Sequence, residues 1–466
     1  MLFSSIPFLY YFLPSVLIAY YLAPKPAKNM VLLLASLVFY GWGEPVYVFL
    51  MVGTITMAYG FGLWIEKAAN KKWKKIWLIA SVAISLGILG YFKYADFFIR
   101  NVNRVTGLSL PLLRVVLPIG ISFYTFQLIS YLIDVYRGTV AAQKRIVKLA
   151  TYITMFPQLI AGPIVRYADV ERQLSDREIN FSKIAYGIRR FVLGLGKKIL
   201  IANVLGEFCS QFRATEDKSV LFFWAYAIAV SLQIYFDFSG YSDMAIGLGS
   251  MLGFEFMENF NYPFISKSIT EFWRRWHMSL GTWFRDYVYI PLGGSRCSLK
   301  RNMLNIFVVW MLTGFWHGAE WNFIFWGVYF GVLLMIEKVF LLKWLDKHKA
   351  FGHVYVLILV VFSFILFDVI ELSQFSVYVQ AMLGMKGLPL LSATTMYYLN
   401  SYLLVFVIAC IGATPLPKIV IEKCSRNTIV RRCFEALEPI FMIVLILLCT
   451  GYLVDGSFNP FLYFRF

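Results

Sequence analysis

Two histidines stand where an imidazole could take part in proton transfer. His317 lies in the run TGFWHGAEW, in an apolar stretch that follows the basic turn CSLKRN. From Met303 to Trp316 that stretch makes about 21 Å of helix, less than the ~30 Å of a bilayer core. The spacing therefore predicts that His317 lies at membrane depth, where a neutral imidazole can act as a general base. A histidine that only bonds a neighbouring carbonyl is the alternative.

The second histidine, His277, belongs to a segment with helical spacing. Within residues 266–289, apolar side chains recur at 269, 272, 273, 276, 280, 283, 284, 287 and 288. This pattern predicts an amphipathic helix, at the membrane surface or folded against a helix bundle, with Ser268 and Glu271 forming a capping box at its start. His277 lies one position off the aromatic stripe. It could serve the chemistry, or it could be an interfacial histidine whose tip meets water.

Six further charged residues could hold a substrate or an acyl donor: Arg166, Asp237, Asp243, Arg274, Arg275 and Arg285. The three arginines of the amphipathic segment could bind the phosphates of a donor or anchor the helix to anionic head groups. The two aspartates, in QIYFDFSGYSDMAIGLG, could be site residues, but the pattern favours caps of a broken helix. The arginine of AGPIVRY could attract a phosphate or anchor a loop at the membrane edge.

The composition defines the setting of these residues. Of 466 residues, 60% are hydrophobic and 15% are charged, whereas soluble chains carry roughly 25% charged residues. Apolar runs recur from end to end, beginning with the first 22 residues, which have no positive n-region and are read as a helix that stays in place. We predict an all-α, polytopic membrane protein of about 11–13 helical segments, several of them short or broken. Residues 1–466 form one membrane domain, with no separate soluble domain.

The basic residues orient the chain. The formal net charge is +17, but Lys and Arg sit mostly in short loops, which the positive-inside bias explains without nucleic acid as a partner. Placing the basic stretches 24–28, 71–75, 343–353 and 418–432 in the cytoplasm puts both chain termini outside. The scattered six cysteines and four histidines predict neither a metal centre nor a bound cofactor.

Five stretches resemble the membrane-bound O-acyltransferase (MBOAT) family, and its bacterial branch above all. They are LPIGISFYTFQLISYLIDVYRG (117–138), FPQLIAGPIVRY (156–167), QIYFDFSGYSDMAIGLGSMLGFEFMENFNYPF (233–264), SITEFWRRWHMSLGTWFRDYVYIPLGG (268–294) and GFWHGAEWNFIFWG (314–327). They define an acyltransferase core at 117–330. Members of this branch acetylate alginate or peptidoglycan, or attach D-alanine to teichoic acid.

The resemblance implies a site and a reaction. It makes His317 the catalytic histidine of the Trp-His-Gly motif and His277 the second histidine. It also implies a ring of helices around a central tunnel in a bacterial plasma membrane, with acetyl-CoA as the cytoplasmic donor. The acceptor would be an extracytoplasmic polysaccharide, reached through a partner of the Ser-Gly-Asn-His (SGNH) hydrolase type.

Two other functions fit many helices with buried polar groups. A transporter without chemistry is one, although transporters usually show related halves, which this sequence lacks. D-alanyl transfer, or acyl transfer to a lipid or protein, is the other, and the wording of the motifs argues against a lipid or protein acceptor. Motifs of other membrane enzymes fail: GLGS (247–250) replaces Gly-x-Gly-Asp, and H-E-x-x-H does not occur.

Overall fold

The computed structural model describes residues 1–455, in which the regular elements are all helices and no strand occurs. The α-helices are α1 (Leu13–Leu22), α2 (Lys28–Gly43), α3 (Tyr47–Lys67), α4 (Lys71–Leu89), α5 (Ala95–Thr106), α6 (Ile121–Arg137), α7 (Ile146–Thr154), α8 (Phe156–Leu159), α9 (Tyr167–Val170), α10 (Phe181–Gly196), α11 (Val204–Ala214), α12 (Val220–Met251), α13 (Ile269–Arg275), α14 (Met278–Phe284), α15 (Leu299–His317), α16 (Trp321–Ile336), α17 (Leu342–Lys347), α18 (Lys349–Asp368), α19 (Leu372–Met382), α20 (Ala393–Gly412), α21 (Leu416–Cys424) and α22 (Thr428–Val454). The predicted all-α fold is confirmed.

Seven helical stretches within residues 1–455 are long and apolar enough to cross a membrane. They are Tyr47–Lys67, Lys71–Thr106, Val220–Met251, Trp321–Lys347, Lys349–Asp368, Ala393–Gly412 and Thr428–Val454. A shorter apolar helix covers Pro7–Leu22. The prediction of a multi-pass membrane protein is therefore confirmed. Both chain termini were predicted to lie outside; the C-terminus falls beyond the described residues, and the orientation of the chain stays a prediction.

The chain divides into two compact units. The first holds Met1–Phe191 and Met244–Met257, and the second holds Val192–Asp243 and the described residues from Glu258 to 455. His277 and His317 both belong to the second unit, and Arg166 belongs to the first.

One long helix replaces two predicted spans. The sequence pattern predicts a broken helix at QIYFDFSGYSDMAIGLG, with one span at 219–236 and another at 239–257, but α12 runs unbroken through Val220–Met251. A Cβ on Gly240 would lie 2.8 Å from the carbonyl oxygen of Gly194. The glycine therefore serves close helix packing and does not end the helix. Asp243 consequently lies inside α12, so its interpretation as a helix cap is wrong.

The amphipathic segment is two short helices. Helix α13 ends at Arg275 and α14 begins at Met278, with His277 between them at φ +45°. The predicted cap is present, since Ser268 Oγ accepts from the Glu271 backbone N–H at 3.0 Å, while the Glu271 carboxylate accepts from the Lys267 N–H. Phe272 and Trp276 are buried in the core of the second unit. The segment is therefore folded against other helices of its unit.

Helix α15 is longer than the sequence suggested. It begins at Leu299 because Ser298 Oγ caps it by accepting from the Arg301 N–H at 3.4 Å. The basic turn thus forms the first helical turn, and the 19 residues measure ~28 Å. The helix is longer than the predicted 14-residue stretch but still slightly shorter than the ~30 Å bilayer core, and it ends on His317.

The orientation can be tested on one helical stretch. Lys71–Thr106 runs for 36 residues, so Lys72 and Ser109 mark its opposite ends. In a variant without native cysteines, we expect Ser109→Cys to react with a membrane-impermeant maleimide on intact spheroplasts. Lys72→Cys should react only after the cells are opened, because the basic end faces the cytoplasm. Reaction of Lys72→Cys on intact spheroplasts would contradict this orientation.

Candidate active site

A tight helical hairpin carries His317. Helices α15 and α16 approach so closely that a Cβ on Gly314 would lie 2.3 Å from the carbonyl oxygen of Phe323, and one on Gly327 would lie 2.4 Å from that of Trp310. Small residues allow such backbone contact between membrane helices. A Cβ on Gly318 would lie 2.2 Å from the Phe323 ring. Glycine after His317 therefore lets the chain turn directly into α16.

Aromatic rings enclose the imidazole of His317. Its ring centroid lies 5.1 Å from that of Trp316, 5.2 Å from Trp326 and 5.4 Å from Phe367, all three in edge-on geometry. Only 7% of His317 is exposed. Asn322 ties the turn to the end of α18, because its amide donates to the carbonyl oxygens of Phe367 (3.3 Å) and Val369 (2.9 Å). The histidine thus sits in a rigid, apolar cage.

His277 occupies a strained position. It adopts φ +45° and ψ +52°, in the left-handed region that costs a residue other than glycine about 1–3 kcal/mol. A hydrogen bond at the next residue stabilises this conformation: the Met278 N–H donates to the Asn259 carbonyl oxygen at 3.0 Å. The ring packs edge-on against Phe238 at 4.6 Å and is 2% exposed. Such backbone strain clusters at functional sites, and here it fixes the position of the His277 ring.

Asn259 sets the tautomer of His277. Its Oδ1 accepts from the Ser279 N–H at 3.2 Å and from the Ser279 hydroxyl at 2.9 Å, and it lies 3.1 Å from His277 Nδ1. A backbone N–H can only donate, so this atom is the amide oxygen and Nδ1 must carry the proton. Nε2 of His277 therefore carries the lone pair.

The two imidazoles flank one indole. The ring of Trp316 lies 6.1 Å from His277 and 5.1 Å from His317. His277 lies outside the candidate spanning helices, and its burial lowers the pKa of the imidazole well below its usual range, with a further lowering from His317. A neutral imidazole is the form that accepts a proton. The arrangement suits general-base chemistry on a hydroxyl in a dry site.

Comparison with known proteins identifies the family. The model of the membrane-bound O-acyltransferase family matches residues 143–379, which include both histidines and the α15–α16 hairpin. The chain belongs to this family. The predicted resemblance is confirmed.

Named relatives fall in the bacterial branch. A probable alginate O-acetylase of Pseudomonas aeruginosa is 46% identical over 72% of this chain and 66% of its own length. A peptidoglycan O-acetyltransferase of Helicobacter pylori is 35% identical over 73% of this chain and 71% of its own. A teichoic acid D-alanyltransferase of Bacillus subtilis is 33% identical over 50% of this chain and 61% of its own length. The chain spans about two thirds of the length of the acetylase.

Of the predicted site residues, the structure brings His277 and His317 of this MBOAT protein together around Trp316. Arg275 is engaged locally, with Glu271 at 2.9 Å and the Asn261 carbonyl oxygen at 3.1 Å. Arg285 pairs with Asp286 at 2.7 Å, and Arg274 is exposed. A role of these arginines toward a donor stays a prediction.

The remaining candidates form ion pairs. Lys198 Nζ lies 2.6 Å from Asp237, and Lys197 Nζ lies 2.6 Å from Asp243. Both lysines belong to the π-helical turn Lys197–Asn203, which brings them to α12. In the first unit, Arg166 pairs with Asp169 at 2.9 Å. These contacts explain the aspartates as partners of lysines in helix packing, in place of the predicted caps.

A buried carboxylate that the sequence reading missed fixes helix α13. Glu337, in the π-helical turn Glu337–Leu341, accepts from the Thr270 N–H (2.8 Å) and from the Ile269 N–H. It also accepts from the Thr270 hydroxyl at 2.6 Å. These donors are the free N–H groups of the first helical turn. Glu337 therefore anchors the helix that leads into His277.

Asn259 is the positioning residue that sequence reasoning overlooked, and its role can be tested. We expect Asn259→Leu to lower kcat roughly ten- to hundredfold, because the His277 ring is no longer held in one tautomer and orientation, and misplacing a group that orients the reactants can cost about 10²-fold. Asn259→Asp keeps an acceptor and should retain more activity. Its carboxylate raises the pKa of His277, so the acidic limb of the pH–rate profile should move to higher pH.

The control for this test is Asn261→Leu, two residues away on an exposed side chain. It should leave both kcat and the pH profile unchanged. Equal losses in Asn259→Asp and Asn259→Leu, with no displacement of the pH profile, would assign Asn259 a purely structural role.

Proposed function

We propose that the protein is an O-acetyltransferase that passes acetyl from cytoplasmic acetyl-CoA across the membrane, toward the O-acetylation of an extracytoplasmic polysaccharide. The observation that carries this proposal is the pair of buried imidazoles around Trp316, inside the region that matches the family. The names of two relatives, alginate O-acetylase and peptidoglycan O-acetyltransferase, join acetyl transfer to a polysaccharide acceptor.

The location of the substrates supports a route through the protein. Coenzyme A stays in the cytoplasm, whereas an exported polysaccharide lies outside. A passage with a base at its centre moves acetyl across without moving coenzyme A. The thioester enters from the cytoplasmic side, and the acetyl group leaves toward a partner of the SGNH hydrolase type, which delivers it to the polymer.

His317 supplies the base in this reaction. Its neutral imidazole takes the proton of the acceptor hydroxyl as the oxygen attacks the thioester carbonyl. The C–O bond forms, the C–S bond breaks, and the imidazolium returns the proton to the leaving thiolate. Alternatively, the imidazole first takes the acetyl group itself, and the hydroxyl then removes it. His277, held by Asn259 with a lone pair on Nε2, orients the reactants or contacts the donor.

The proposal predicts a chemical change in the host. Deleting the gene should remove acetyl esters from one extracytoplasmic polysaccharide, as measured by mass spectrometry of the isolated polymers, and the wild-type gene should restore them. An unchanged acetyl content in every polymer would overturn the proposal. Loss of D-alanine esters with intact acetylation would indicate that the chain transfers D-alanine, the reaction in the name of the teichoic acid relative.

A further inference from the structure

A large basic cavity lies in the first unit, apart from any residue of the mechanism above. Its volume is about 1320 Å³, and its walls come from the turn between α1 and α2, the start of α7, and the segment 174–180. This exceeds the roughly 300–1,000 Å³ of most small-molecule sites. Six cations line it: Lys25, Lys28, Lys144, Arg145, Lys148 and Arg177. Asp176 and Glu178 are its acidic lining residues, so positive charge prevails.

Neutral groups hold the cations in place. Lys28 Nζ donates to the Tyr20 carbonyl oxygen at 2.9 Å and lies 4.3 Å from the Tyr20 ring centroid. The Arg177 guanidinium stacks 4.7 Å over Phe254 and donates to Asn29 Oδ1. Lys148 donates to Ser175 Oγ at 2.7 Å. Hydrogen bonds and rings therefore fix these side chains without cancelling their charge.

The charge stays uncompensated within the part of the chain that the structure describes. None of the six cations forms an ion pair there, unlike Lys183, which meets Glu255 at 2.8 Å. Burial, and then the neighbouring Arg177, lower the pKa of Lys28. Arg177 Nη1 is buried and has no hydrogen-bond partner within residues 1–455. An anion in the cavity would relieve this repulsion.

The positive-inside bias explains why basic residues lie at this end of the helices. It does not explain why six of them line one cavity, or why three of the six are held there by neutral partners. The basic run that opens α4 gives the contrast, since Lys72 and Lys75 are exposed and belong to no such cavity.

We propose that this cavity binds a phosphate-bearing anion. Arginine and lysine side chains are suitable donors to phosphate oxygens, and six of them line this cavity. The lining also includes exposed apolar side chains, Tyr21, Met30 and Ile146. Such a wall suits the glycerol and upper acyl region of a phospholipid whose head group enters the cavity. A soluble phosphate compound presents the same chemistry without using that wall.

The test measures binding on the full chain in neutral detergent. Thermal unfolding is followed with phosphatidylglycerol, phosphatidylcholine or inorganic pyrophosphate added. We expect phosphatidylglycerol to raise the melting temperature and phosphatidylcholine to have no effect, because a ligand that binds only the folded state stabilises it. In Lys25→Gln/Lys144→Gln the apparent affinity should fall roughly tenfold or more. Both lysines are exposed, so the unliganded melting temperature should stay at the wild-type value.

The matched control is Lys72→Gln/Lys75→Gln, which removes the same charge from exposed positions elsewhere in the unit. It should respond to phosphatidylglycerol as the wild type does. Stabilisation by pyrophosphate, lost in the cavity variant alone, would identify a soluble phosphate as the source. Equal losses in both double variants, or equal stabilisation by phosphatidylcholine, would overturn the site. As a second check, Arg177→Gln removes the buried guanidinium and should also weaken the stabilisation by phosphatidylglycerol.

Discussion

Replacing His317 with alanine is expected to abolish acetyl transfer while the protein remains expressed and folded in the membrane. The imidazole is enclosed by Trp316, Trp326 and Phe367. Loss of a general base costs about 10²–10⁴-fold, and loss of a covalent carrier costs at least as much. Acetyl esters on the polymer, measured by mass spectrometry in a complemented deletion strain, report the effect.

The four histidines of the chain offer a matched control. His348 stacks on Trp344 at 4.4 Å and is exposed, so His348→Ala should leave acetylation intact. His277→Ala should reduce acetylation less than His317→Ala does, since His277 orients groups around the reaction. Membrane yield and the elution profile on size exclusion establish folding. Near-normal acetylation by a folded His317→Ala protein would remove this residue from the mechanism.

The sequence carried enough information to find His317, and the reason is local. Burying an imidazole at membrane depth costs free energy, so a histidine beside a glycine at the end of an apolar helix is a candidate functional residue. The structure places His317 at the end of α15 even though the helix includes the basic turn that was predicted to precede it, and the catalytic role of His317 stays a prediction. The break at His277 was missed because the apolar spacing of 266–289 continues through it. Periodicity reports which face is buried and not whether the backbone keeps helical angles.

The partners of the site were not predictable in the same way. Asn259 acts through one amide oxygen shared by His277 and Ser279, and an asparagine in a loop has no spacing that reveals such a contact. Its position in MENFNYPF, within a family motif, was the one available signal. Glu337 reaches α13 from a π-helical turn, which the sequence pattern of a long apolar helix does not show.

Breaking the Lys198–Asp237 ion pair is expected to cost more stability than any other single change to a polar contact proposed above. The two side chains are 3% and 4% exposed and their charged atoms lie 2.6 Å apart. Removing one partner leaves an uncompensated charge inside the helix packing, which costs about 3–5 kcal/mol. We expect Asp237→Leu to fall sharply in membrane yield and in melting temperature. The Lys197–Asp243 pair, 33% and 10% exposed, should cost less when Asp243→Leu breaks it.

The double variant Lys198→Met/Asp237→Leu separates structure from chemistry. Replacing both members of a buried pair by apolar residues of similar size is often neutral or stabilising by about 1–4 kcal/mol. If Asp237 serves packing, the double variant should regain both its melting temperature and its acetylation activity, although it lacks the carboxylate. A double variant that folds well but does not acetylate would make Asp237 part of the reaction. In that case the fold would tolerate the loss of the buried charge, and the reaction would not.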